Sequence, residues 1–501
     1  MSPPSPRGLS SGSDACGVPA RRRCCVELDR GSGRVGVAPG GGALPAARYL
    51  ILASRLVPDR DGGFTISVLR RAIDMAAAGA DVTLLTVDPG ETADHDAHRA
   101  EWVRRGLLGS RESLRNLFDD VRSNPSWLRR AAIPGPVPSS PWPTRPIVDD
   151  SGAPVLDLPV VSGDAAWHLT DAPVRVYDKG AVIGWLPGFG GLYRAWVNVV
   201  AAEGAEGGSD AERAPVVVLC EARQIGETLV AEGEPAVDAG IRVLHTTHAC
   251  HVLSPFRWDS PMDAAWERWF EIADRFDGVL WLTPSQRDDV ERRFGAQRLR
   301  SFVVPHPAPV VSAPSDPVSG RIVILNSLIP RKRVDHVLRA LPAARAAVPA
   351  AHLFVYGDGA SGAELRALAT ELGVEDAVKW IGHVADPETQ AWASADVLVL
   401  ASTNEGQPLV VLEALAAGVP VVAYDMPYGP RDTLADGGGV LVPDGDVDAL
   451  AAALIDVLSH RERRAELSAS GRAAAAAMDA AASMRALGTA VRAALADPVS
   501  R

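Results

Sequence analysis

The sequence predicts an α/β protein in which short buried strands alternate with helices. Residues 395–403 (ADVLVLAST) form an almost unbroken apolar run, which is typical of a parallel strand covered on both faces. Pro408 suits the first turn of the following helix, Gly418 suits its C-terminal end, and residues 419–425 (VPVVAYD) predict the next strand. The same alternation recurs through the second half of the chain, so we expect a doubly wound parallel sheet there.

The N-terminal half begins with a segment that has no apolar period. Residues 1–46 are rich in Pro, Gly, Ser and Arg and are predicted to be a disordered leader. A strand at 48–54 (RYLILAS), a helix at 66–80 and a strand at 81–87 (DVTLLTV) then predict one β-loop-α-β unit. Gly62 and Gly63 lie in its loop, where backbone can approach a ligand closely.

Residues 95–205 depart from this alternation and are predicted to be an insertion. Residues 98–108 and 111–123 have helical spacing, whereas the Pro-rich stretch 133–146 is expected to lack a regular element. Residues 173–200 predict three short strands joined by glycine turns (PVRVYD, AVIGWLP and LYRAWVNVV). The insertion is therefore expected to contribute an antiparallel β-meander.

Alternation resumes at 214, and the linker-like composition of 308–320 predicts a domain boundary. We expect a Rossmann-like N-terminal domain at 47–310 and a Rossmann-like C-terminal domain at 311–480. Six strands are predicted in the second domain (RIVILNS, HLFVYGD, AVKWIGH, DVLVLAS, PVVAYD and GVLVP), with helices beginning near 334, 362, 387, 408, 429 and 447. The Ala- and Arg-rich segment 461–496 is predicted to be helical, and 481–501 is assigned to a C-terminal helix.

Composition excludes some classes of function. The formal net charge of −12, with no long basic face, argues against a nucleic-acid-binding protein, although a local basic patch could still meet an anionic acceptor. No apolar run approaches the ~18 residues of a membrane span, and the first residues lack the pattern of a signal peptide. Three of the five cysteines lie in the leader and have no partners at zinc-site spacing. We therefore expect a cytoplasmic protein without a disulfide framework or a metal.

Two carboxylates bound residues 405–413 (EGQPLVVLE). Glu405 lies at the carboxyl end of a predicted strand, beside a helix N-terminus whose free N–H groups and dipole favour a diphosphate. Glu413 lies on the helix among apolar neighbours, so its charge needs a partner. The residues alone also fit a helix with an N-terminal Glu and a buried, ion-paired Glu.

This spacing, which ends in EALAAG, resembles the E-x7-E signature of retaining glycosyltransferases of family 4. The resemblance implies the GT-B fold, in which two Rossmann-like domains face a cleft. It implies that Glu405 lies at the donor sugar and acts in catalysis, and that Glu413 holds the ribose of the nucleotide. It also places four intervening residues at the donor: Gly406, Gln407, Pro408 and Leu409.

Residues 326–340 (NSLIPRKRVDHVLRA) resemble the family motif that neutralises the donor diphosphate. Leu328, Pro330 and Lys332 match, and the resemblance gives Lys332 a catalytic, charge-stabilising role. Ser327 stands where the family has an Arg. Either Arg331 or Arg333 replaces that charge, or the helix N-terminus near Gln407 carries more of it, or activity is weakened. The alternative interpretation of the RKR sequence is a solvated basic turn.

Weaker matches complete the predicted donor site. Gly357, in the YGDG sequence, and Ile381, in WIG, resemble donor-binding elements of the family, and its glycine pair, here Gly62 and Gly63, lies near donor phosphates or acceptor. The sequences YGP (428–430) and ADGGGVLVPDGD (435–446) resemble the poly(glycerol-phosphate) α-glucosyltransferase branch. In that branch an inserted domain serves acceptor binding or oligomerisation.

Three histidines follow a predicted strand in VLHTTHACH: His245, His248 and His251. Zinc is the rival hypothesis, but this spacing needs a helix and a supporting carboxylate, and Thr246 and Thr247 disfavour a helix. The resemblance instead places one histidine at the reacting carbon or the acceptor. We assign that catalytic position to His248.

The sequence therefore predicts a retaining hexosyltransferase that uses a nucleotide sugar, expected to be UDP-linked, and needs no metal or other cofactor. The expected acceptor is a hydroxyl of a cell-wall polyol-phosphate polymer, a glycan or a protein. Peripheral membrane association and homo-oligomerisation through the insertion remain open. The alternative is a weakened, glycosyltransferase-like partner or acceptor-binding protein, which the replacement at Ser327 favours.

Overall fold

The computed structural model describes residues 42–60, 62–203, 214–310, 317–384 and 387–499, without the side chains of 387–389. Residues 1–41 of the predicted leader and the predicted boundary at 311 lie outside these ranges. In the described ranges every helix is too short or too polar to cross a bilayer.

The elements up to residue 310 alternate between strands and helices, with a second group of strands between them. They are β1 Arg48–Ala53, α1 Gly62–Ala77, β2 Asp81–Thr86, α2 Thr92–Arg104, β3 Leu114–Asn116, α3 Leu117–Ser123, α4 Ser126–Ala131, β4 Thr144–Val148, β5 Pro154–Pro159, β6 Val174–Asp178, β7 Ala181–Leu186, α5 Gly188–Ala202, β8 Val216–Cys220, α6 Arg223–Val230, β9 Ile241–Thr247, α7 Ala264–Ile272, β10 Gly278–Trp281, α8 Pro284–Phe294 and β11 Ser301–Val303.

The elements after residue 317 alternate regularly and end in three consecutive helices. They are β12 Arg321–Leu325, α9 Val334–Ala347, β13 His352–Tyr356, α10 Gly362–Glu371, β14 Val378–Gly382, α11 Pro387–Trp392, β15 Val397–Leu400, α12 Leu409–Ala417, β16 Val421–Tyr424, α13 Pro430–Thr433, β17 Gly439–Val442, α14 Val447–Ser459, α15 Arg461–Ala477 and α16 Ala480–Ala496.

Two parallel sheets form the framework and confirm the predicted α/β class. The first has seven strands in the order β11-β10-β9-β8-β1-β2-β3, and the second has six in the order β14-β13-β12-β15-β16-β17. All six strands predicted in the second half are present. The side chains of β12, β13, β15 and β16 are largely buried because helices cover both faces of a parallel sheet.

The predicted antiparallel meander exists, but its strands differ from those predicted. Strands β4 to β7 pair antiparallel in chain order. The Pro-rich stretch, expected to be irregular, contributes the start of β4 with Pro146 inside it. Because β4 is the edge strand, a proline costs it no ladder hydrogen bond on the outer side. Strand β5 was not predicted at all.

The stretch LYRAWVNVV was predicted to be a strand and is part of helix α5 instead. Its β-branched and aromatic residues indicated a strand, yet its apolar side chains also recur at helical intervals. Leu192, Trp196 and Val200 are spaced four apart, and all three are fully buried against the meander and the first sheet. Burial of this helical face outweighed local strand propensity.

Three smaller differences concern element boundaries. Residues 111–123, expected to be helical, contain the short strand β3, which extends the first sheet at its edge. Pro408 precedes the first residue of α12 instead of lying within its first turn, while Gly418 ends that helix with a left-handed φ of 73° as predicted. The segment 461–496 is two helices, α15 and α16, interrupted after Ala477.

Helix α16 belongs to the core of the first sheet although it follows the second sheet in the chain. Leu487, Val491 and Ala494 are fully buried in the cluster that contains Tyr49 and Ile51 of β1. Ser483 Oγ also donates a hydrogen bond to the Pro305 carbonyl at 2.8 Å. The last helix therefore ties the end of the chain to the first domain.

Candidate active site between the two sheets

The second sheet reverses its strand order beside β12, which lies between β13 and β15. In open α/β sheets such a switch point leaves a crevice at the carboxyl ends of the strands, where ligands bind. Ser327 and Lys332 follow β12, and Glu405 follows β15. Three of the predicted site residues therefore lie at this one crevice.

Lys332 and Glu405 form the central ion pair of the crevice. Lys332 Nζ lies 2.5 Å from Glu405 Oε1, and Arg331 Nη1 lies 3.3 Å from the other carboxylate oxygen. Burial alone would raise the pKa of Glu405, but Lys332 and Arg331 overcome that effect and hold the pKa below its usual value. The crevice thus holds a carboxylate and two cations at neutral pH.

The surroundings of Ser327 show which of the two neighbouring arginines reaches the crevice. Ser327 itself is exposed. Arg333 turns away and pairs with Asp444 at 2.6 Å, whereas Arg331 reaches the crevice and donates to the Asn404 carbonyl at 2.7 Å. Arg331 is therefore the neighbouring arginine that lies with Lys332 at Glu405.

The segment before α12 contacts the first domain directly. A side chain on Gly406 would collide with the His248 carbonyl, so glycine is needed for this approach of the two backbones. Gln407 is buried, and its Oε1 accepts a hydrogen bond from the His306 amide at 2.7 Å. Leu409 Cδ1 would lie 3.6 Å from a Cβ on Gly63 at the start of α1. Three of the predicted donor residues, Gly406, Gln407 and Leu409, thus lie at the interdomain contact.

Glu413 has the partner that its apolar surroundings require. Its carboxylate is buried, and Oε1 lies 3.2 Å from Nη1 of Arg70, which comes from helix α1 of the first domain. This geometry fits the simpler interpretation of a buried ion pair. The ribose assignment stays a prediction.

His248 lies in the first domain, where its backbone carbonyl is approached by Gly406. Its Nε2 lies 2.6 Å from Oε2 of Glu221, whose Oε1 lies 2.8 Å from Nη1 of Arg71. Arg71 also donates to Thr246 Oγ1 at 2.7 Å. Burial would raise the pKa of Glu221, but Arg71 and His248 lower it to about 2. His248 is thus held by a buried carboxylate that stays ionised.

The other two histidines of the loop lie elsewhere. His245 is buried beside Trp269 and Phe276, and His251 stacks on Tyr428 at 5.8 Å between ring centroids. Burial lowers the pKa of each to about 3, so both are neutral at pH 7. Among the described residues no group of three or more His, Cys, Asp or Glu side chains is placed to hold a metal ion.

The remaining predicted residues lie around the edge of this arrangement. Gly62 and Gly63 were predicted to lie in a loop but are the first two residues of α1, where Gly62 has a φ of 50°, at which glycine is favoured. Gly357 packs its backbone against the Asn326 carbonyl, adjacent to Ser327. Ile381 is 40% exposed on β14, the edge strand two positions from β12. Its assignment to the donor base stays a prediction.

Sequence reasoning missed Glu221, Arg71 and Arg70, which hold His248 and Glu413. A signal was present, because Glu221 directly follows the buried strand β8 and both arginines interrupt the apolar pattern of α1. Charged residues inside an apolar pattern or at the end of a buried strand indicate a paired site. Their partners are distant in sequence, so spacing could not identify them.

Comparison with known families shows that this chain is similar to glycosyltransferases, as the fold and the crevice indicate. Residues 315–474, which include most of the second domain, match the family described as glycosyl transferases group 1. An exopolysaccharide phosphotransferase from Streptomyces coelicolor is 36% identical over 185 residues, which cover 36% of this chain and 20% of the relative.

Two further proteins are similar to this chain. A GDP-mannose-dependent α-(1-6)-phosphatidylinositol monomannoside mannosyltransferase from Mycobacterium tuberculosis is 37% identical over 159 residues, covering 30% of this chain and 41% of the relative. The chain thus spans less than half of these relatives. The structure of the pneumococcal O-GlcNAc transferase GtfA with UDP and GlcNAc has a TM-score of 0.67 at 15% identity, covering 90% of this chain and 100% of that one. The fold is therefore GT-B, as the resemblance implied.

Proposed function

We propose that this protein is a retaining hexosyltransferase of the family 4 type, which transfers a sugar from a nucleotide sugar to an acceptor hydroxyl. The observation that carries the proposal is the meeting of Lys332, Arg331 and Glu405 at the switch point. Gly406, next to Glu405, approaches the backbone carbonyl of His248 on the other domain. A protein that only bound a glycan would not need two cations at a diphosphate-binding crevice.

The chemistry assigns a task to each of these groups. The bond between C1 of the donor sugar and the diphosphate oxygen breaks, and its electron pair remains on the diphosphate. The acceptor oxygen bonds to C1, and its proton passes to the departing diphosphate. Lys332 and Arg331 stabilise the charge that develops on the diphosphate, Glu405 orients them and the sugar, and His248 lines the reacting side. The proposal needs no metal, because the two side chains supply the positive charge.

The proposed donor and acceptor are based on similarity to the relatives and structures described above. We propose a UDP-linked donor because GtfA, whose structure contains UDP and GlcNAc, shares this fold. The mycobacterial relative uses GDP-mannose, so a guanosine donor is the competing outcome. The acceptor is a hydroxyl of a polymer, a glycan or a protein. The branch-like sequences at 428–446 favour a polyol-phosphate polymer, which the protein meets in the cytoplasm.

Slow donor hydrolysis tests the proposal without knowledge of the acceptor. Purified full-length protein is incubated with a panel of UDP- and GDP-sugars, and release of the nucleoside diphosphate is measured. We expect release from at least one donor and its loss in Glu405→Gln. Asp376→Asn is the matched control, because Asp376 forms an exposed ion pair with Arg345 on the same domain. The anomeric configuration of a transfer product, measured by NMR, tests retention.

The alternative of a binding protein without catalysis makes a different prediction. Ser327 favours this alternative, since one of the two family cations is absent at its position. Such a protein would bind a nucleotide or a glycosylated acceptor and release no diphosphate from any donor. That result, obtained with a folded protein, would contradict the proposed activity.

A further inference from the structure

Residues 427–432 (PYGPRD) of the second domain form a turn that contacts both Glu405 and the first domain. On one side the turn holds the backbone of Glu405. The Glu405 amide donates to the Pro427 carbonyl at 3.1 Å, and the Tyr428 amide donates to the Glu405 carbonyl at 3.0 Å. The position of Glu405 therefore depends on the position of the 427–432 turn.

The other side of the turn is buried against the first domain through Tyr428, which is 2% exposed. Its ring stacks on His251 with 5.8 Å between centroids and an interplanar angle of 4°, and His251 in turn meets Phe270 edge-on at 5.6 Å. The Tyr428 hydroxyl donates a hydrogen bond to Oδ2 of Asp289, on helix α8, at 3.0 Å. A side chain of the second domain thus packs against the aromatic core of the first.

The hydrogen bond between Tyr428 and Asp289 matters to both side chains. Burial raises the pKa of Asp289, and the Tyr428 hydroxyl opposes this effect more than the guanidinium groups of Arg292 and Arg431 do. Removal of the hydroxyl would therefore disfavour the ionised carboxylate, and removal of the carboxylate would leave a buried hydroxyl without its acceptor. The two groups should act as one unit.

A second contact joins the turn to the beginning of α8. The N-cap residue Thr283 accepts a hydrogen bond from the Gln286 amide. The Ser285 amide donates instead to Oδ1 of Asp432 at 3.2 Å, and the Ser285 hydroxyl donates to the other oxygen of that carboxylate. Free N–H groups and the helix dipole favour a carboxylate at this end of a helix. The second domain therefore supplies part of the cap of a first-domain helix.

The beginning of α8 also holds the loop that contains His248. Gln286 is fully buried, and its Nε2 donates to the Ala249 carbonyl at 2.8 Å. Ala249 follows His248, whose own carbonyl is approached by Gly406. One helix thus contacts both the loop of His248 and the turn that holds Glu405.

We infer that Tyr428 and Asp432 are positioning residues for Glu405: by fixing the 427–432 turn to α8, they set where Glu405 lies relative to the loop of His248. The anchoring is a property of the fold, whereas its effect on turnover rests on the proposed function. A small displacement of a catalytic group lowers turnover more than it weakens binding. Loss of either contact should therefore lower kcat more than it raises KM.

Donor hydrolysis, measured as separate kcat and KM values, tests the effect on turnover. Tyr428→Phe removes the hydroxyl and keeps the ring that stacks on His251. We expect kcat to fall about tenfold to a hundredfold, with KM for the donor changed less than about threefold. Asp289→Ala should cause a similar loss, and the double variant should lose little more than either single variant. Asp288→Ala should retain full activity as the control, because Asp288 is exposed on the same helix and pairs with Arg287.

Ser285→Ala tests the contact with Asp432 separately. This substitution removes the hydroxyl donor and leaves the amide donor in place. We expect kcat to fall about threefold to tenfold, as for loss of one hydrogen bond to a charged group, and Ser285→Thr should recover most of it. Urea unfolding of each variant measures any accompanying loss of stability.

Hydrogen exchange followed by mass spectrometry measures the anchoring without any donor. The amides of Glu405 and Tyr428 are both hydrogen-bonded within the second domain. Peptides that contain these amides should exchange faster in Tyr428→Phe than in the wild type or in Asp288→Ala, because the turn loses a contact that holds it in place.

Two results would overturn the inference. The first is unchanged exchange of these amides in both Tyr428→Phe and Ser285→Ala. The second is unchanged kcat in both variants, whatever happens to KM or to stability in urea, as for contacts that are merely structural. Faster exchange in a protein that hydrolyses no donor would leave the anchoring standing and remove the proposed function. Donor hydrolysis that both variants retain in full would leave the proposed function standing and remove the inference.

Discussion

Removal of Lys332 should affect turnover and stability, with a dependence on pH that identifies its partner. In Lys332→Ala the crevice keeps Arg331, whose side chain is 41% exposed against 15% for Lys332. The more buried cation should contribute more to the charge of the departing diphosphate. We expect turnover to fall by about 100-fold, close to 2.7 kcal/mol, with a smaller change in the Michaelis constant for the donor.

The same substitution leaves Glu405 buried with one cation. Breaking a buried ion pair costs about 3–5 kcal/mol, and the remaining Arg331 should reduce this to about 1–3 kcal/mol. Because Lys332 and Arg331 lower the pKa of Glu405 against the effect of burial, the wild-type pair stabilises the fold above the usual pKa of 4.5. That stability disappears as pH falls through the lowered value. The difference between wild type and variant should therefore be largest near pH 7 and shrink in acid.

Steady-state donor hydrolysis and urea unfolding at several pH values measure both effects, with Arg331→Ala as the matched variant. Arg331→Ala should lose less turnover and less stability than Lys332→Ala. The reverse order would show that the motif is assigned one residue out of register. If the stability difference between wild type and Lys332→Ala does not vary with pH, the contribution of Lys332 does not depend on the ionisation of Glu405.

Three further predictions address other residues of the cleft. Glu413→Gln should weaken binding of the nucleotide sugar by about 1–3 kcal/mol in calorimetry. If the pair with Arg70 is purely structural, Glu413→Gln and Arg70→Gln should lose equal stability and leave the affinity for the nucleotide sugar unchanged. Ser327→Arg should tighten binding of UDP at low salt more than at high salt, and weaker binding would show that the position cannot accept a second cation. The wild type should lose stability between pH 4.5 and about 2, because the folded pKa of Glu221 is lowered to about 2, and Glu221→Gln should reduce this loss. A urea-unfolding profile that the substitution leaves unaltered would argue against an ionised Glu221.

The regular half of the fold could be predicted because its signals are local. Each strand of the second sheet is a short apolar run, and buried parallel strands have that pattern wherever they lie. The insertion was harder to predict, because the formation of α5 and the meander depends on the elements against which they are buried. Trp196 favours a strand by propensity, yet it is fully buried on a helix and donates to Asp120, 76 residues earlier.

The candidate site also contains residues that the sequence predicts and contacts that depend on packing. Lys332 and Glu405 were predicted by motif, and the structure places them in contact across 73 residues of sequence. The pairs that join the two domains, Arg70 with Glu413 and Gly406 with His248, depend on packing between distant segments. Chain spacing contains no information about such contacts, although the apolar setting of Glu413 did require a partner.

The position of helix α16 limits how such proteins can exchange parts. Its fully buried residues Leu487, Val491 and Ala494 complete the core of a domain that the chain left nearly two hundred residues earlier. A chimaera that joined a foreign first domain to this second domain at the linker would leave α16 on a surface to which its side chains are not matched. Recombination that preserves a folded product must therefore transfer α16 together with the first domain, by paired replacement at two distant places in the gene.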